Sequence, residues 1–86
     1  MLGDFFTSWG FSLMTGELRL VVASPPDREG VVVELWHADE MCAEVSNEKG
    51  ELVLEVYPRA AGGSWQFDYE CFQSAVTRAK STLLGG

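Results

Sequence analysis

Between Glu17 and Tyr57 the apolar side chains recur at every second residue, and this alternation is the strongest constraint on what the chain can become. A period of two places one set of side chains on a buried face and the other in solvent, which is the signature of half-buried antiparallel strands. Leu18, Leu20 and Val22 share one face of the first stretch. Residues 31–37 are β-branched and aromatic, and residues 41–46 form a third stretch. In residues 51–57, Leu52, Leu54 and Val56 alternate against Glu51, Val53, Glu55 and Tyr57. The breaks carry turn chemistry: Ser24-Pro25-Pro26 running to Gly30, then Ala38-Asp39-Glu40, then Asn47 to Gly50.

The stretches can be tested against one another, because directly opposed residues must agree about which face is buried. A first hairpin closed at Ser24–Val31 pairs Leu20 with Leu35 and Leu18 with His37. A middle hairpin centred on Asp39 pairs His37 with Met41 and Leu35 with Ala43. A last hairpin closed at Ser46–Glu51 pairs Val45 with Leu52, Ala43 with Leu54 and Met41 with Val56. One choice of inward face satisfies all three hairpins, which is stronger evidence than any strand alone. The middle turn is the weak joint, since a three-residue loop there favours Gly or Asn and has neither.

After Pro58 a Gly-rich crossover leads to a helix. Asp68 is a suitable N-cap, and Phe67 before it with Phe72 inside forms a hydrophobic staple. Phe72, Ala75, Val76, Ala79 and Leu83 make one apolar stripe, and Gly85 terminates the helix. The expectation is therefore an α+β fold, a four-stranded antiparallel β-meander with one C-terminal helix packed on one face (ββββα). Residues 17–86 form this single domain. Residues 1–16 form an apolar N-terminal arm. In that arm Leu2, Phe5, Phe6, Trp9 and Leu13 recur at helical offsets, although Gly3 and Gly10 oppose a helix. The arm is expected to fold back over an open edge of the core, with a partner-docking or dimerising arm and a disordered leader as the alternatives. With Asp4 where a basic residue would be expected and the apolar run interrupted, it does not read as a targeting signal.

The 86 residues carry thirteen acidic and six basic side chains, a formal charge of −7. Nine of those acids lie in residues 27–55 against only Arg28 and Lys49. Such a balance argues against nucleic acid or an anionic membrane as partner and favours a basic protein. No stretch approaches the length needed to cross a bilayer. Cys42 and Cys71 are too few for a disulfide scaffold and are expected as free thiols in the cytoplasm.

With the helix on one face, the other carries Arg19, Val21, Val32, Glu34, Trp36, Cys42, Glu44, Glu51, Val53, Glu55 and Tyr57. Two aromatics and three valines among four carboxylates make a mixed surface of the kind that docks partners, with Arg19, Glu34, Trp36, Glu44, Glu55 and Tyr57 as the candidate binding set. Glu34 is set opposite Glu44, a like-charge pair, and Arg19 opposite Trp36 for stacking. Catalysis finds little support. His37, the sole histidine, is expected as a satisfied core residue at a strand end, and no spacing of Cys or His suggests a metal or cofactor. The leading expectation is a small acidic, non-enzymatic protein-binding domain, such as an adaptor, inhibitor, immunity protein or antitoxin, that uses its open sheet face. The alternative is a self-associating subunit, a homodimer for instance, held through Phe5, Phe6, Trp9 and Phe11 of the arm.

Overall fold

The computed structural model describes residues 6–7, 10–15, 17–26 and 30–85, the first two stretches as strand backbone. The strands are β1 (Phe6–Thr7), β2 (Gly10–Thr15), β3 (Leu18–Ala23), β4 (Val32–His37), β5 (Glu40–Ser46) and β6 (Val53–Val56), followed by helix α1 (Tyr69–Leu83). Strands β3 to β6 form the antiparallel meander read from the alternation, and α1 completes the ββββα arrangement. The sheet continues further than expected: β1 and β2 add two strands in chain order. The backbone of residues 10–15 is thus extended rather than helical, with Leu13 opposite Leu20 and Thr15 opposite Leu18.

The first hairpin has the expected register, with Leu20 opposite Leu35 and Leu18 opposite His37. The middle hairpin differs. It closes on two residues, Ala38 and Asp39, so that His37 faces Glu40 and Trp36 faces Met41. Register is recovered by a β-bulge at Cys42, which has no opposite number between the Trp36–Met41 and Leu35–Ala43 pairs. The bulge moves Met41 to the open face beside Trp36 and takes Cys42 off that face into the core, correcting two expected orientations. The turn works because Ala38 adopts φ 57°, the positive first position that a tight hairpin turn needs and that glycine ordinarily supplies.

The last hairpin is offset by two residues from the expectation. Val45 faces Leu54, Ala43 faces Val56 and Ser46 faces Val53, leaving 47–52 as the loop. A two-residue offset preserves which side chains face the helix, so the pattern of faces survives while every partner changes.

The core lies between the sheet and α1. Leu18, Leu20, Val33, Leu35, Cys42, Ala43 and Val45 pack with Ala75 and Ala79, flanked by Phe67, Phe72, Val76 and Leu83. The small Ala75 and Ala79, one turn apart and fully buried, let the helix approach the strands closely. Asp68 caps the helix, its side chain accepting from the Cys71 N–H at 3.0 Å. Phe67 stacks on Phe72 with ring centroids 5.3 Å apart, as the staple requires. Gly85, at φ 81°, ends the helix. Helix α1 meets β2, β3, β4 and β5 but does not reach β6.

Candidate functional site

The corrected last register creates a feature that the sequence pairing lacked. Glu34 on β4 faces Glu44 on β5, and Glu44 in turn faces Glu55 on β6, so three carboxylates stand in one line across the open side of the sheet. Directly opposed like charges cost an antiparallel pair roughly 0.2–1 kcal/mol. Neighbouring side chains hold the line together. The Trp36 indole N–H donates to Glu34 Oε1 at 3.0 Å. The Tyr57 hydroxyl lies 3.1 Å from Glu44 Oε1 and 3.4 Å from Glu55 Oε1, so its proton serves the gap between those two acids. Burial, and then these carboxylates, push the Tyr57 hydroxyl pKa up from 10.0 to about 12. The Arg19 guanidinium sits over the Trp36 ring, 5.4 Å from its centroid, as expected from their opposition on β3 and β4.

The six expected sheet-face residues therefore come together, but with unequal access. Arg19, Glu34, Trp36 and Tyr57 are half-buried and Glu55 is exposed, whereas Glu44 retains only 7% of its surface. Glu34 and Glu55 are the carboxylates that a partner can touch, and Glu44 is the buried link between them. Two hollows flank the line. One of about 270 Å³ lies among Ala23, Ser24, Pro25, Pro26 and Glu34. The other, of about 330 Å³, is lined by Ser46, Glu48, Lys49, Glu51, Val53 and Glu55. On the same side of the sheet Val21 and Val32 are buried, so these two expected surface valines are core instead.

Of the aromatic arm, Phe5 and Trp9 lie outside the described residues. Phe6 and Phe11 are opposed backbone positions of β1 and β2, with their side chains outside the description.

His37 also departs from expectation. The middle turn leaves its side chain 42% exposed, with Nε2 3.8 Å from Glu17 Oε1. It borders a ring cluster in which Trp65 stacks on Phe67 at 5.4 Å and meets His37 edge-on at 5.9 Å. The Trp65 N–H donates to the Tyr57 carbonyl and Arg59 lies over its ring, which gives the Gly-rich crossover a fixed path. A cleft of about 540 Å³ opens between this crossover and the β4–β5 turn, lined by His37, Asp39, Glu40, Arg59, Ser64, Trp65 and Gln66 among others. Sequence reading missed it. The available signal was Arg59 and Trp65 at the two ends of the Gly-rich crossover, because a half-buried indole needs a hydrogen-bond acceptor.

Cys42 and Cys71 are free thiols. Burial pushes the Cys42 pKa up from 9.0 to about 11, and its Sγ donates to the Leu35 carbonyl at 3.3 Å. Among the described residues no helix is long and apolar enough to cross a membrane, and no three His, Cys, Asp or Glu side chains converge as a metal site. No protein-family model, curated protein or solved structure matches the chain.

Proposed function

We propose that this protein is a small, non-enzymatic binding domain of the cytoplasm that presents its open sheet face to a basic protein partner, in the manner of an adaptor, inhibitor, immunity protein or antitoxin. The observation that supports this reading most is the line Glu34–Glu44–Glu55, three like charges held side by side across three strands. A Lys or Arg docking between Glu34 and Glu55 relieves that repulsion and gains charge-assisted hydrogen bonds. Trp36 beside the line supplies a flat apolar anchor, half-buried and rigidly held, of the kind that dominates docking surfaces. At the open face itself, the buried, protonated Cys42 thiol beneath it and the Tyr57 hydroxyl bound to two carboxylates are not nucleophiles at neutral pH, which supports a binding role for that face over a catalytic one. Two free thiols suit a reducing compartment.

The test is capture of a partner by the tagged chain across a salt series. Capture at low salt should be lost in about molar salt, where charge interactions are screened within roughly 3 Å. Glu34→Lys and Glu55→Lys should each weaken it about tenfold or more while leaving the circular dichroism spectrum unchanged. Glu44→Lys is not a suitable probe, since that side chain is buried and its reversal disturbs the sheet itself. Capture that survives molar salt intact, or that ignores both reversals, removes the charge-based reading.

A further inference from the structure

The outer edge of β6 is open and apolar on the helix side. Among the described residues β5 is the only strand that pairs with it. Leu54 and Val56 are 46% and 54% exposed, and α1 stops short of covering them. A groove of about 250 Å³ lies beside the strand, lined by Val45, Leu52, Val53 and Leu54 and by Val76, Thr77 and Lys80 of α1. Edge strands are normally blunted by shortness, a charge, a proline or a bulge. Residues 53–56 are short and carry Glu55 on the open side, but on the helix side the edge presents only Leu54 and Val56, with no lysine, proline or bulge in the strand.

The strand is also open in its backbone. The Tyr57 N–H donates to the Cys42 carbonyl, which fixes the direction of the odd-numbered residues towards β5. Alternation then turns the N–H and C=O groups of Leu54 and Val56 outward, ready to receive another strand.

We propose that β6 pairs antiparallel with β6 of a second copy, centred on Leu54, so that two sheets become one. The sequence of the strand is self-complementary and sets the register of such a pair. Opposed residues must lie on the same face, so the centre falls on a residue, and within the strand the interior choices are Leu54 and Glu55. Centring on Glu55 sets that carboxylate against itself and extends the line of three acids to six. Centring on Leu54 opposes Leu54 to its own copy and Leu52 to Val56 in both directions, an all-apolar row on the helix side. On the open side it opposes Glu55 to Val53, so no carboxylate faces another across the join. It also places the outward-facing Leu54 backbone groups where they bond reciprocally.

The charge of −7 on each copy resists association, but only at long range. At physiological ionic strength charges are screened within roughly 8 Å, well inside a molecule measuring 31 × 29 × 24 Å. Self-pairing therefore strengthens with salt, whereas capture of a basic partner weakens. Edge pairing leaves the open sheet face unobstructed, so the two activities are independent and fail separately.

The experiment is sedimentation equilibrium of the full chain from about 0.05 to about 0.5 M NaCl, joined to disulfide trapping of single-cysteine substitutions. The expected result is a dimer fraction that rises with salt and falls about tenfold or more in Leu54→Lys, a change at an exposed position that a folded chain tolerates. In the proposed register Leu54→Cys places two Cα atoms roughly 5.5 Å apart, within disulfide reach, and should cross-link through residue 54 by peptide mapping. Glu55→Cys leaves its sulfurs on a diagonal roughly 7–8 Å long and should cross-link far more slowly. A chain that stays monomeric across the salt series overturns the proposal, as does a dimer indifferent to Leu54→Lys. Trapping at residue 55 as fast as at 54 overturns the register. Each of these outcomes leaves the reading of the acidic face to its own salt test.

Discussion

Ala38 occupies a backbone conformation that favours glycine, and it does so at the position that sets the path of the whole β4–β5 hairpin. A Cβ at positive φ crowds the following carbonyl by about 1–2 kcal/mol, of which glycine returns part as lost chain entropy. Ala38→Gly should therefore stabilise the fold by about 0.5–1 kcal/mol, read as a higher urea midpoint with an unchanged slope. Two other residues set the alkaline limit. The Cys42 pKa is raised from 9.0 to about 11, and that of Tyr57 from 10.0 to about 12. Well below pH 9.0 both groups are protonated in folded and unfolded chains alike, and their contribution to stability is complete. As pH rises, the unfolded chain releases each proton first, so stability is lost from 9.0 to about 11 through Cys42 and from 10.0 to about 12 through Tyr57. The melting temperature should fall across that window, and Tyr57→Phe should flatten its upper part. A melting temperature that holds to pH 12 would show that neither proton is held by the fold.

Among the elements, α1 was the most legible in the sequence because each of its signals is local: the Asp68 cap, the Phe67–Phe72 staple and the apolar stripe all lie within residues 67–83 and all are found. The cap and the stripe give separate predictions. Asp68→Ala removes the acceptor for the Cys71 N–H and should cost about 1 kcal/mol. Ala79→Leu forces a larger side chain between helix and sheet, where no surface is exposed, and should cost about 1–3 kcal/mol, while Ser74→Leu on the exposed helix face has no such effect. Both are measured by chemical denaturation at neutral pH. The strands were legible as faces but not as partners. Alternation of Val, Glu and Leu repeats every two residues through 51–57, so a register offset by two buries the same side chains and the sequence cannot choose between them. That ambiguity hid the best feature of the candidate site. In the expected register Glu55 faced Cys42, and only the observed offset sets it against Glu44. The bulge was hidden for a related reason, because a two-residue turn with alanine at positive φ has no sequence signature.

At the scale of the whole molecule, the distribution of charge governs what the fold can meet. Residues 27–55 carry the entire net charge of −7, while residues 56–86, which include α1, sum to +1, so one strand region is strongly acidic and the helical end is not. The apolar edge of β6 lies inside the acidic region, with Glu55 in its midst. The two surfaces should consequently respond to acid in opposite directions. The isoelectric point is near 4.4, so lowering the pH from neutrality towards it removes the net charge by protonating carboxylates. Edge pairing between copies loses its long-range repulsion and should strengthen steadily as that point is approached. Docking of a basic partner loses the charges that attract it and should weaken over the same interval. Sedimentation and partner capture, measured on one sample series from pH 7 to 4.4 with near-ultraviolet circular dichroism to verify folding, separate the two effects. If both activities fall together on acidification, the edge owes nothing to net charge and the acidic region acts as one surface; if both rise, apolar contact drives them and the carboxylate line is not what a partner recognises.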